Sequence, residues 1–460
     1  MTTVAFIIGI LVMLVGLGVS IALHELGHLV PAKRFGVRVG QYMIGFGPTL
    51  FARKRGETEY GLKLLPIGGY ISMAGMYPRS LVPETPTGRP APAEDPGDTG
   101  APAQRRQRFF ATLVQDARAA NDETLEGADD SRAFFALATW KRVVIMVGGP
   151  VMNLVFAAVL FTIVLCGIGI PTASTTVGAV NQCVLPAGTA QTACAPGDPA
   201  APAAAAGLKP GDRIVSIAGQ DVSTFDEASA IIRESPGRAL AVVIERDGAR
   251  QTLTVTPLLA ERPMVDAQGN PQTDASGTAL TQKVGFIGIG PASELVRQPI
   301  WAGISAAGQN TGAVIGIVAQ LPVKLYQTAE SLFTGEARDP NSPLSIVGVG
   351  ALAGEVAATD SPIINRVSVI LQLLASLNIA LFVFNLIPLL PLDGGHIAIA
   401  LWDAVRRGFA KMTGKPRPAP TDATRLVPVT IVVVGILVVM GALLIAADII
   451  NPIDLLGTGR

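Results

Sequence analysis

Residues 1–30 read MTTVAFIIGILVMLVGLGVSIALHELGHLV, with no charged side chain before Glu25. A helix of about 20 apolar residues spans the hydrocarbon core of a bilayer, so this stretch is long enough to cross a membrane. It lacks the basic amino-terminal region and the small-residue cleavage site of a secretory signal peptide, and we expect it to remain in the protein. The sequence therefore predicts a membrane protein with a spanning helix in this stretch.

The composition of the whole chain agrees with this prediction. Hydrophobic residues make up 49% of the 460 residues, and charged residues make up 15%. Soluble domains carry about 25% charged residues, so a soluble globular protein is disfavoured. The 35 basic residues balance the 35 acidic ones, so the overall charge gives no reason to expect a nucleic-acid partner.

Three further apolar runs without charged residues follow at 143–170, 367–392 and 426–447. Basic residues cluster after the first run, before the second, and between the third and the fourth, and such clusters mark the cytoplasmic side of a membrane. They are Lys33, Arg34, Arg38, Lys141, Arg142, Arg406, Arg407, Lys411, Lys415 and Arg417. We therefore expect four spans, with both chain ends and the segment 173–291 outside the cytoplasm.

A fifth uncharged run, at 299–323, is diluted with Gly, Ala, Gln and Asn. Its large apolar residues recur at helical spacing, which is typical of a helix that lies on a surface. A fifth crossing would also place the basic segment 403–425 outside the cytoplasm, against the rule that basic loops stay inside. We therefore predict an interfacial or packed helix here.

The segments between the spans differ in composition. Residues 78–131 are rich in Pro, Gly, Ala and acidic side chains, which is typical of a linker. Residues 173–291 alternate β-branched residues with Gly and Pro turns, as a small folded domain does. This domain contains Cys183 and Cys194, for which both a disulfide and two free thiols remain open, although disulfides persist outside the cytoplasm.

The segment His24-Glu25-Leu26-Gly27-His28 predicts a zinc site if it is helical. His24 and His28 are one helical turn apart and therefore lie on one face. Glu25 lies beside them, where it can take a proton without binding the metal. Ionisable groups in a span are costly, and a metal offsets that cost. The alternative is an accidental string on a solvated helix.

A catalytic zinc usually has three protein ligands, so a third should come from another span. Asp393 is the only acid near the inner end of any other run. Pro388 and Pro391 before it break a helix, and Gly394-Gly395 after it allow a sharp backbone turn. The alternative is that Asp393 only caps the next helix.

Together these motifs resemble the site-2 protease family of intramembrane zinc metalloproteases, and in particular bacterial members that cleave anti-sigma factors. The His-Glu-x-x-His of the first span is joined by Asn-x-x-Pro-x-x-Pro-Leu-Asp-Gly-Gly at 385–395. Other similar stretches are Gly45-Phe46-Gly47-Pro48, Leu65-Pro66-Ile67-Gly68-Gly69-Tyr70, Trp140-Lys141-Arg142 and Gly148-Gly149-Pro150-Val151-Met152-Asn153. The resemblance covers most of the chain except residues 78–131.

The resemblance implies roles for individual residues. His24, His28 and Asp393 bind Zn²⁺, Glu25 is the catalytic acid and base, and Asn385 contacts the substrate. Residues 37–76 resemble a membrane-dipping β structure whose strand, at Leu62, Lys63, Leu64 and Leu65, pairs with substrate; a solvated cytoplasmic hairpin is the alternative. His396 either donates a hydrogen bond to a metal ligand or simply borders the site.

The implied fold is a multi-span α-helical membrane protein with about four transmembrane helices, a membrane-associated β-hairpin region and an extracytoplasmic PDZ-like α/β domain. The PDZ-like resemblance rests on GLKPGDRIVSI at 207–217, and the domain either binds a peptide end or filters substrates by size. The implied location is the inner (cytoplasmic) membrane, with the active site near the cytoplasmic side.

The implied function is cleavage of a single-span membrane protein, an anti-sigma factor, after a first extracytoplasmic cut, which releases a cytoplasmic signalling fragment. Two alternatives stay open: the same chemistry clears remnant signal peptides, or the chain is a non-enzymatic PDZ scaffold in the lipid bilayer. The identity of the substrate, the first protease and the oligomeric state are not predicted.

The predicted segments are the first transmembrane helix (1–30), the membrane-associated β region (31–77), a cytoplasmic linker (78–139), the second transmembrane helix (140–172), the PDZ-like domain (173–291), an amphipathic helix with its connector (292–365), the third transmembrane segment with the Asp-Gly-Gly motif (366–402), a cytoplasmic loop (403–425) and the fourth transmembrane helix with its tail (426–460).

Overall fold

The structure is a computed structural model that describes residues 2–76, 130–185, 193–264, 272, 280–336, 338–339, 341–416, 418–421 and 426–453. Residues 78–129 of the predicted linker therefore lie outside the described residues. The chain divides into two compact units, which we call the membrane unit (Met1–Gly167 with Pro299–Arg460) and the β-rich unit (Ile168–Gln298).

The helices and strands follow one another along the chain in a simple order. They are α1 (Thr2–Arg34), β1 (Val39–Arg55), β2 (Thr58–Met73), α2 (Thr139–Thr162), β3 (Ile170–Val180), α3 (Pro202–Ala205), β4 (Arg213–Ile217), β5 (Gln220–Asp221), α4 (Phe225–Arg233), β6 (Leu240–Arg246), β7 (Ala249–Val255), β8 (Leu258–Pro263), β9 (Thr281–Phe286), β10 (Ile289–Val296), α5 (Trp301–Ala319), α6 (Leu321–Thr334), α7 (Ile346–Ala358), α8 (Ile363–Asn385), α9 (Asp393–Met412) and α10 (Val427–Ile450). Two 3₁₀ turns, Asp130–Arg132 and Phe134–Ala136, precede α2, and a π-helical turn, Ile163–Ile168, follows it.

Four of the described helices are long and apolar enough to cross a membrane: Thr3–Arg34, Thr139–Ile168, Ile363–Asn385 and Val427–Ile450. They agree with the four predicted spans in number and in position along the chain. The predicted fifth helix is α5, which is not among them and packs inside the membrane unit, where a Cβ on Gly303 would lie 2.1 Å from Thr162 Oγ1.

The apolar core of the membrane unit lies where these helices meet. Its buried residues come from α1, α2, α5, α7 and α8, and they are Met13, Ala157, Leu160, Phe161, Ala307, Ala353, Leu374, Ala375, Ile379 and Val383. Many apolar side chains on the outer faces of the spans are exposed, such as Val432, Val438 and Val439 of α10. Exposed apolar faces of this size suit contact with lipid.

The predicted short sheet after the first span is present as β1 and β2, joined by the tight turn between Arg55 and Thr58. Each of residues 41–44 has two cross-strand partners, one within 59–62 and one within 69–72. Residues 41–44 of β1 therefore lie between residues 59–62 and residues 69–72 of β2, which is long and bent. The 3₁₀ turns before α2 dock on this sheet, with Phe134 buried and Arg132 paired with Glu57 at 2.7 Å.

The segment 403–425 was predicted as a polar loop, but its first half belongs to α9, which continues to Met412. The reason is that its polar residues have protein partners. Arg142 of α2 donates to Asp403 at 3.0 Å, and the other oxygen of Asp403 accepts from the Thr421 backbone N–H at 2.9 Å. From composition alone, such polar residues are predicted to be exposed to water.

The β-rich unit is built on one antiparallel sheet with the strand order β10-β3-β4-β6-β7, in which β5 pairs with β4. A separate hairpin pairs β8 with β9. Helix α4 begins with a capping box, in which Thr224 and Glu227 satisfy each other's backbone N–H groups. The core residues include Val177, Leu208, Ile214, Ile217, Leu240, Val242, Ile244, Val255 and Ile287.

One disulfide and one ion pair stabilise this unit. Cys183 and Cys194 form a disulfide, which decides between the two alternatives left by the sequence. Arg246 donates to both carboxylate oxygens of the buried Asp212, at 2.6 and 2.7 Å. These hydrogen bonds from Arg246 hold the pKa of Asp212 below its usual range.

Candidate metal centre

Helices α1 and α2 approach each other closely because glycines face each other at the contact. A Cβ on Gly27 would lie 2.2 Å from the carbonyl oxygen of Gly148, and a Cβ on Gly149 would lie 2.2 Å from His28 Nε2. No side chain larger than hydrogen fits at these positions without a shift. The Gly-Gly pair at 148–149 therefore places the backbone of α2 directly against the histidine face of α1.

The two histidines of α1 turn toward each other on that face. Their Nε2 atoms are 3.2 Å apart, and His28 is more deeply buried than His24. Nδ1 of His28 lies 2.7 Å from the backbone carbonyl of Ile145 on α2. A carbonyl oxygen only accepts, so His28 donates from Nδ1, and in the neutral ring the Nε2 atom carries a free lone pair.

Asp393 reaches the same point from the other side. Helix α8 ends at Asn385, the loop 386–392 carries the two prolines, and Asp393 is the first residue of α9. Its Oδ2 atom lies 3.4 Å from His24 Nε2 and 3.3 Å from His28 Nε2. The N-cap position of α9 belongs to Leu392, so Asp393 does not act there as the capping residue.

Gly394 and Gly395 have a different role from the one predicted. Both are helical residues of α9 and neither has a positive φ, so they do not form a sharp turn. A Cβ on Gly394 would lie 2.3 Å from the Ile387 carbonyl oxygen, and one on Gly395 would lie 2.6 Å from the Leu390 backbone nitrogen. The two glycines let the 386–392 loop fold tightly over the start of α9, and this places Asp393.

The three donor atoms fit a zinc ion. In a tetrahedral site with Zn–N and Zn–O distances of about 2.0–2.1 Å, neighbouring donors are ~3.3 Å apart. The three distances between donor atoms are 3.2, 3.3 and 3.4 Å. Oδ2 of Asp393 is buried and accepts no hydrogen bond within the described part of the chain. Lone pairs that face each other this closely repel unless a cation lies between them.

Glu25 is buried one residue after His24, between α1 and the sheet. The Tyr42 hydroxyl of β1 donates to the Ala22 carbonyl of α1 at 2.7 Å, which fixes the sheet on the helix. At Gly69 of β2 a Cβ would come within 3.1 Å of the Glu25 side chain. The glycine therefore leaves room for the carboxylate next to an extended strand.

The remaining predicted site residues lie around this centre to different degrees. Asn385 is the last residue of α8, and its side chain donates to the Leu381 carbonyl of the same helix at 3.0 Å. His396 follows on α9, three residues after Asp393, and its role stays open. The predicted substrate-binding residues lie on β2, where three side chains are exposed: Leu62, Leu64 and Leu65. Lys63 stands over the Tyr70 ring at 5.0 Å.

Two contributors to the centre were missed by the sequence reasoning, and both belong to α2. One is the backbone carbonyl of Ile145, which carries no sequence signal. The other is Asn153, whose Nδ2 lies 3.2 Å from His24 Nδ1. Asn153 ends the Gly-Gly-Pro-Val-Met-Asn motif at 148–153, from which the sequence predicted no role for it.

Comparison with known proteins agrees with this geometry. The profile of Peptidase family M50 matches residues 12–416. Zinc metalloprotease Rip1 of Mycobacterium tuberculosis is 32% identical over 456 residues, which cover 98% of this chain and 99% of the relative. Zinc metalloprotease RasP of Oceanobacillus iheyensis is 28% identical over 428 residues, with 85% and 89% covered. Metalloprotease MmpA of Caulobacter vibrioides is 30% identical over 417 residues, with 87% and 88% covered.

These matches confirm the family and the enzyme class predicted from the motifs. The profile spans most of the chain, and the relatives extend over nearly all of it. The names of the relatives and the donor set of His24, His28 and Asp393 both support the predicted zinc cofactor. The chain belongs to peptidase family M50, the site-2 protease family.

Proposed function

We propose that this protease is a zinc-dependent intramembrane endopeptidase that cleaves single-span membrane proteins near the cytoplasmic side of the membrane. One observation carries the proposal: the donor atoms of His24, His28 and Asp393 converge beside Glu25 at the end of a helix that is long enough to span. A zinc site in that position has a use only if the peptide bond to be cut is brought to membrane depth.

The chemistry follows from the donors and the buried acid. Bound at these donors, Zn²⁺ would supply a Lewis acid that polarises the scissile carbonyl and lowers the pKa of water to about 7. Glu25 is adjacent to His24 but is not one of the three donors, so its carboxylate is available to take a proton from the attacking water. The same carboxyl group then gives that proton to the leaving amine as the peptide bond breaks.

A substrate that enters as a helix hides its peptide bonds in its own hydrogen bonds, so it must be extended locally. We assign this task to Leu62, Lys63, Leu64 and Leu65 of β2, because a strand can hold an extended peptide through main-chain hydrogen bonds. Leu62 has cross-strand partners on both sides. The free main-chain groups would therefore come from the other three residues, with Asn385 as a further substrate contact.

The basic residues at the ends of the spans support an orientation in the inner (cytoplasmic) membrane with the metal centre on the cytoplasmic side. The β-rich unit then lies outside the cytoplasm as a PDZ-like domain. Its disulfide between Cys183 and Cys194 supports an oxidising compartment for that unit. In this place the unit either binds a peptide end or excludes substrates with large outer domains, and deletion of residues 175–290 separates these two roles.

The natural substrate proposed is an anti-sigma factor that has already received a first extracytoplasmic cut. Clearance of remnant signal peptides by the same chemistry is the second candidate, since it needs the same access to a short membrane stub. A non-enzymatic scaffold is not supported, because the chain belongs to a peptidase family and its motif residues converge. Capture of trapped proteins on the Glu25→Gln variant in cells distinguishes the two substrate classes.

The first test of the proposal is the Glu25→Gln substitution in the purified full chain. We expect cleavage of a single-span reporter to fall by roughly 10²- to 10⁴-fold, the usual contribution of a general acid and base. The zinc content should stay at the level of the unsubstituted protein, because Glu25 is not one of the donors. Glu330→Gln, the same exchange on the exposed face of α6, serves as the matched control.

Two results would contradict this scheme at different points. Full activity of Glu25→Gln would remove Glu25 from the chemistry while leaving the metal site intact. Absence of zinc from the active, unsubstituted protein would remove the metal site itself.

A further inference from the structure

The side chain of Asn153 is buried against His24, and one of its atoms has no hydrogen-bond partner among the described residues. The residue is 1% exposed, and its Nδ2 atom lies 3.2 Å from His24 Nδ1. Its Oδ1 atom is buried and accepts no hydrogen bond from any described residue. A buried polar atom without a hydrogen-bond partner is unfavourable, so the orientation of this amide needs an explanation.

The explanation lies in which ring nitrogen of the neutral His24 imidazole carries its single proton. To bind a metal through Nε2, a neutral imidazole must carry its single proton on Nδ1. An Nδ1–H group needs an acceptor, and of the two terminal atoms of Asn153 only Oδ1 is one. A half-turn of the amide exchanges Oδ1 with Nδ2, two atoms of nearly equal size. The exchange gives the ring proton its acceptor in Oδ1 and moves Nδ2 to the position that Oδ1 leaves.

We propose that Asn153 is a positioning residue that accepts the Nδ1 proton of His24 and so directs the Nε2 lone pair of His24 to the metal. His28 is held in the same way by the Ile145 carbonyl. Helix α2 thus fixes the tautomers of both histidines, one through a backbone group and one through a side chain. This inference rests on the metal site proposed above.

Outer hydrogen-bond partners of metal-binding histidines set ring orientation, and their loss typically costs 10–100-fold in metal affinity. Asn153→Leu removes the acceptor and keeps approximately the size of the side chain. Asn153→Asp keeps an acceptor and removes the donor, so it separates the proposed arrangement from one in which Nδ2 donates to His24. Asn378→Leu is the matched control, because Asn378 of α8 is equally buried and its Oδ1 atom also lacks a hydrogen-bond partner among the described residues. Its Nδ2 atom donates to Ser20 Oγ and to the Leu374 carbonyl and not to a histidine.

The experiment measures Zn²⁺ affinity by chelator competition on the purified full-length variants. We expect Asn153→Leu to lose roughly 10- to 100-fold in Zn²⁺ affinity. The affinities of Asn153→Asp and Asn378→Leu should fall by much less. If Asn153→Leu does not fold, retained affinity in Asn153→Asp still supports the proposal, since a donating Asn153 predicts a loss there.

Three results would overturn the inference: unchanged affinity in Asn153→Leu, an equal loss in Asn153→Asp, or an equal loss in Asn378→Leu. The last would show that any buried asparagine of the membrane unit has the same effect. Failure of the unsubstituted protein to bind Zn²⁺ would instead contradict the proposed metal site, and the inference with it.

Discussion

Asp393 and Asp448 are carboxylates at helix ends of the membrane unit, but their oxygens face different partners. Asp448 accepts hydrogen bonds on both oxygens, from Arg338 Nη1 at 2.7 Å and from the Ser345 backbone N–H at 2.7 Å. Asp393 Oδ2 accepts none within the described residues, and its neighbours are the Nε2 atoms of two histidines. The same residue type is neutralised by protein in one place and left open in the other.

These contacts make Asp448 a structural carboxylate, and they agree with the role of metal ligand that we propose for Asp393. The charge of Asp448 is compensated by a buried guanidinium, and nothing further is needed at that position. The Nε2 atoms of His24 and His28 and the Oδ2 atom of Asp393 lie within 3.4 Å of one another, and a cation bound between them would make that arrangement favourable. Burial alone would point to Asp448 as the candidate metal ligand, since its side chain is more deeply buried than that of Asp393.

The largest effect we expect comes from Asp393→Asn, which replaces the only anionic donor of the centre with a neutral amide. Zinc affinity should fall by more than the 10–100-fold that follows loss of an outer hydrogen-bond partner, and cleavage should disappear with the metal. The measurement is metal content after dialysis together with reporter cleavage. Full zinc content in this variant would contradict the assignment of Asp393 as a donor.

Asp448→Asn should show the opposite pattern. Removal of its charge leaves the Arg338 guanidinium buried without a counter-charge, and breaking such a pair costs about 3–5 kcal/mol of unfolding free energy. The thermal midpoint of the purified protein should fall while the zinc content per folded chain stays unchanged. The double variant Arg338→Met with Asp448→Leu should recover most of the stability, because it removes both charges.

A smaller effect is expected at Asp212, which sharpens the comparison because it is paired with Arg246 as Asp448 is with Arg338. The folded chain lowers the pKa of Asp212. The stabilisation from its ionised form is therefore complete above the unfolded pKa of about 4 and is lost as the pH falls through the lower, folded pKa.

Asp212→Asn should thus destabilise the β-rich unit by about 1–2 kcal/mol at pH 7, a modest value because Arg246 is partly exposed to solvent. The gap between the variant and the unsubstituted protein should close as the pH falls below about 4. This difference in stability is measured by pulse-labelling hydrogen exchange of β4 and β6 in the full chain, after incubation at each pH. A gap that widens in acid would contradict the ionic role of Asp212.

Much of the centre could be predicted from the sequence because its chemistry depends on residue type and helical spacing. His24 and His28 fall on one face of any helix with Glu25 beside them, and Asp393 follows two helix-breaking prolines. Asn153 could not be assigned in this way, since an asparagine in a glycine-rich span acquires its role only from the ring it contacts.

The fold was predictable to a similar limit. Length and apolarity identify the four spans, because a bilayer sets both. The continuation of α9 to Met412 was missed because Asp403 and Arg142, distant in sequence, remove each other's need for water. Pairing across helices of this kind leaves no local pattern, whereas the β1–β2 sheet is signalled by its own turn and alternation.

The last span, α10, has a consequence for biosynthesis. Only 6% of its most apolar 18-residue stretch is buried in the protein, and α10 carries none of the three donor atoms. The ribosome therefore adds His24, His28, Asn153 and Asp393 to the chain before residue 427 is made. We expect the nascent chain to assemble its donor group while the final helix is still being synthesised, and the Arg338–Asp448 pair to fasten α10 afterwards as a late step in maturation.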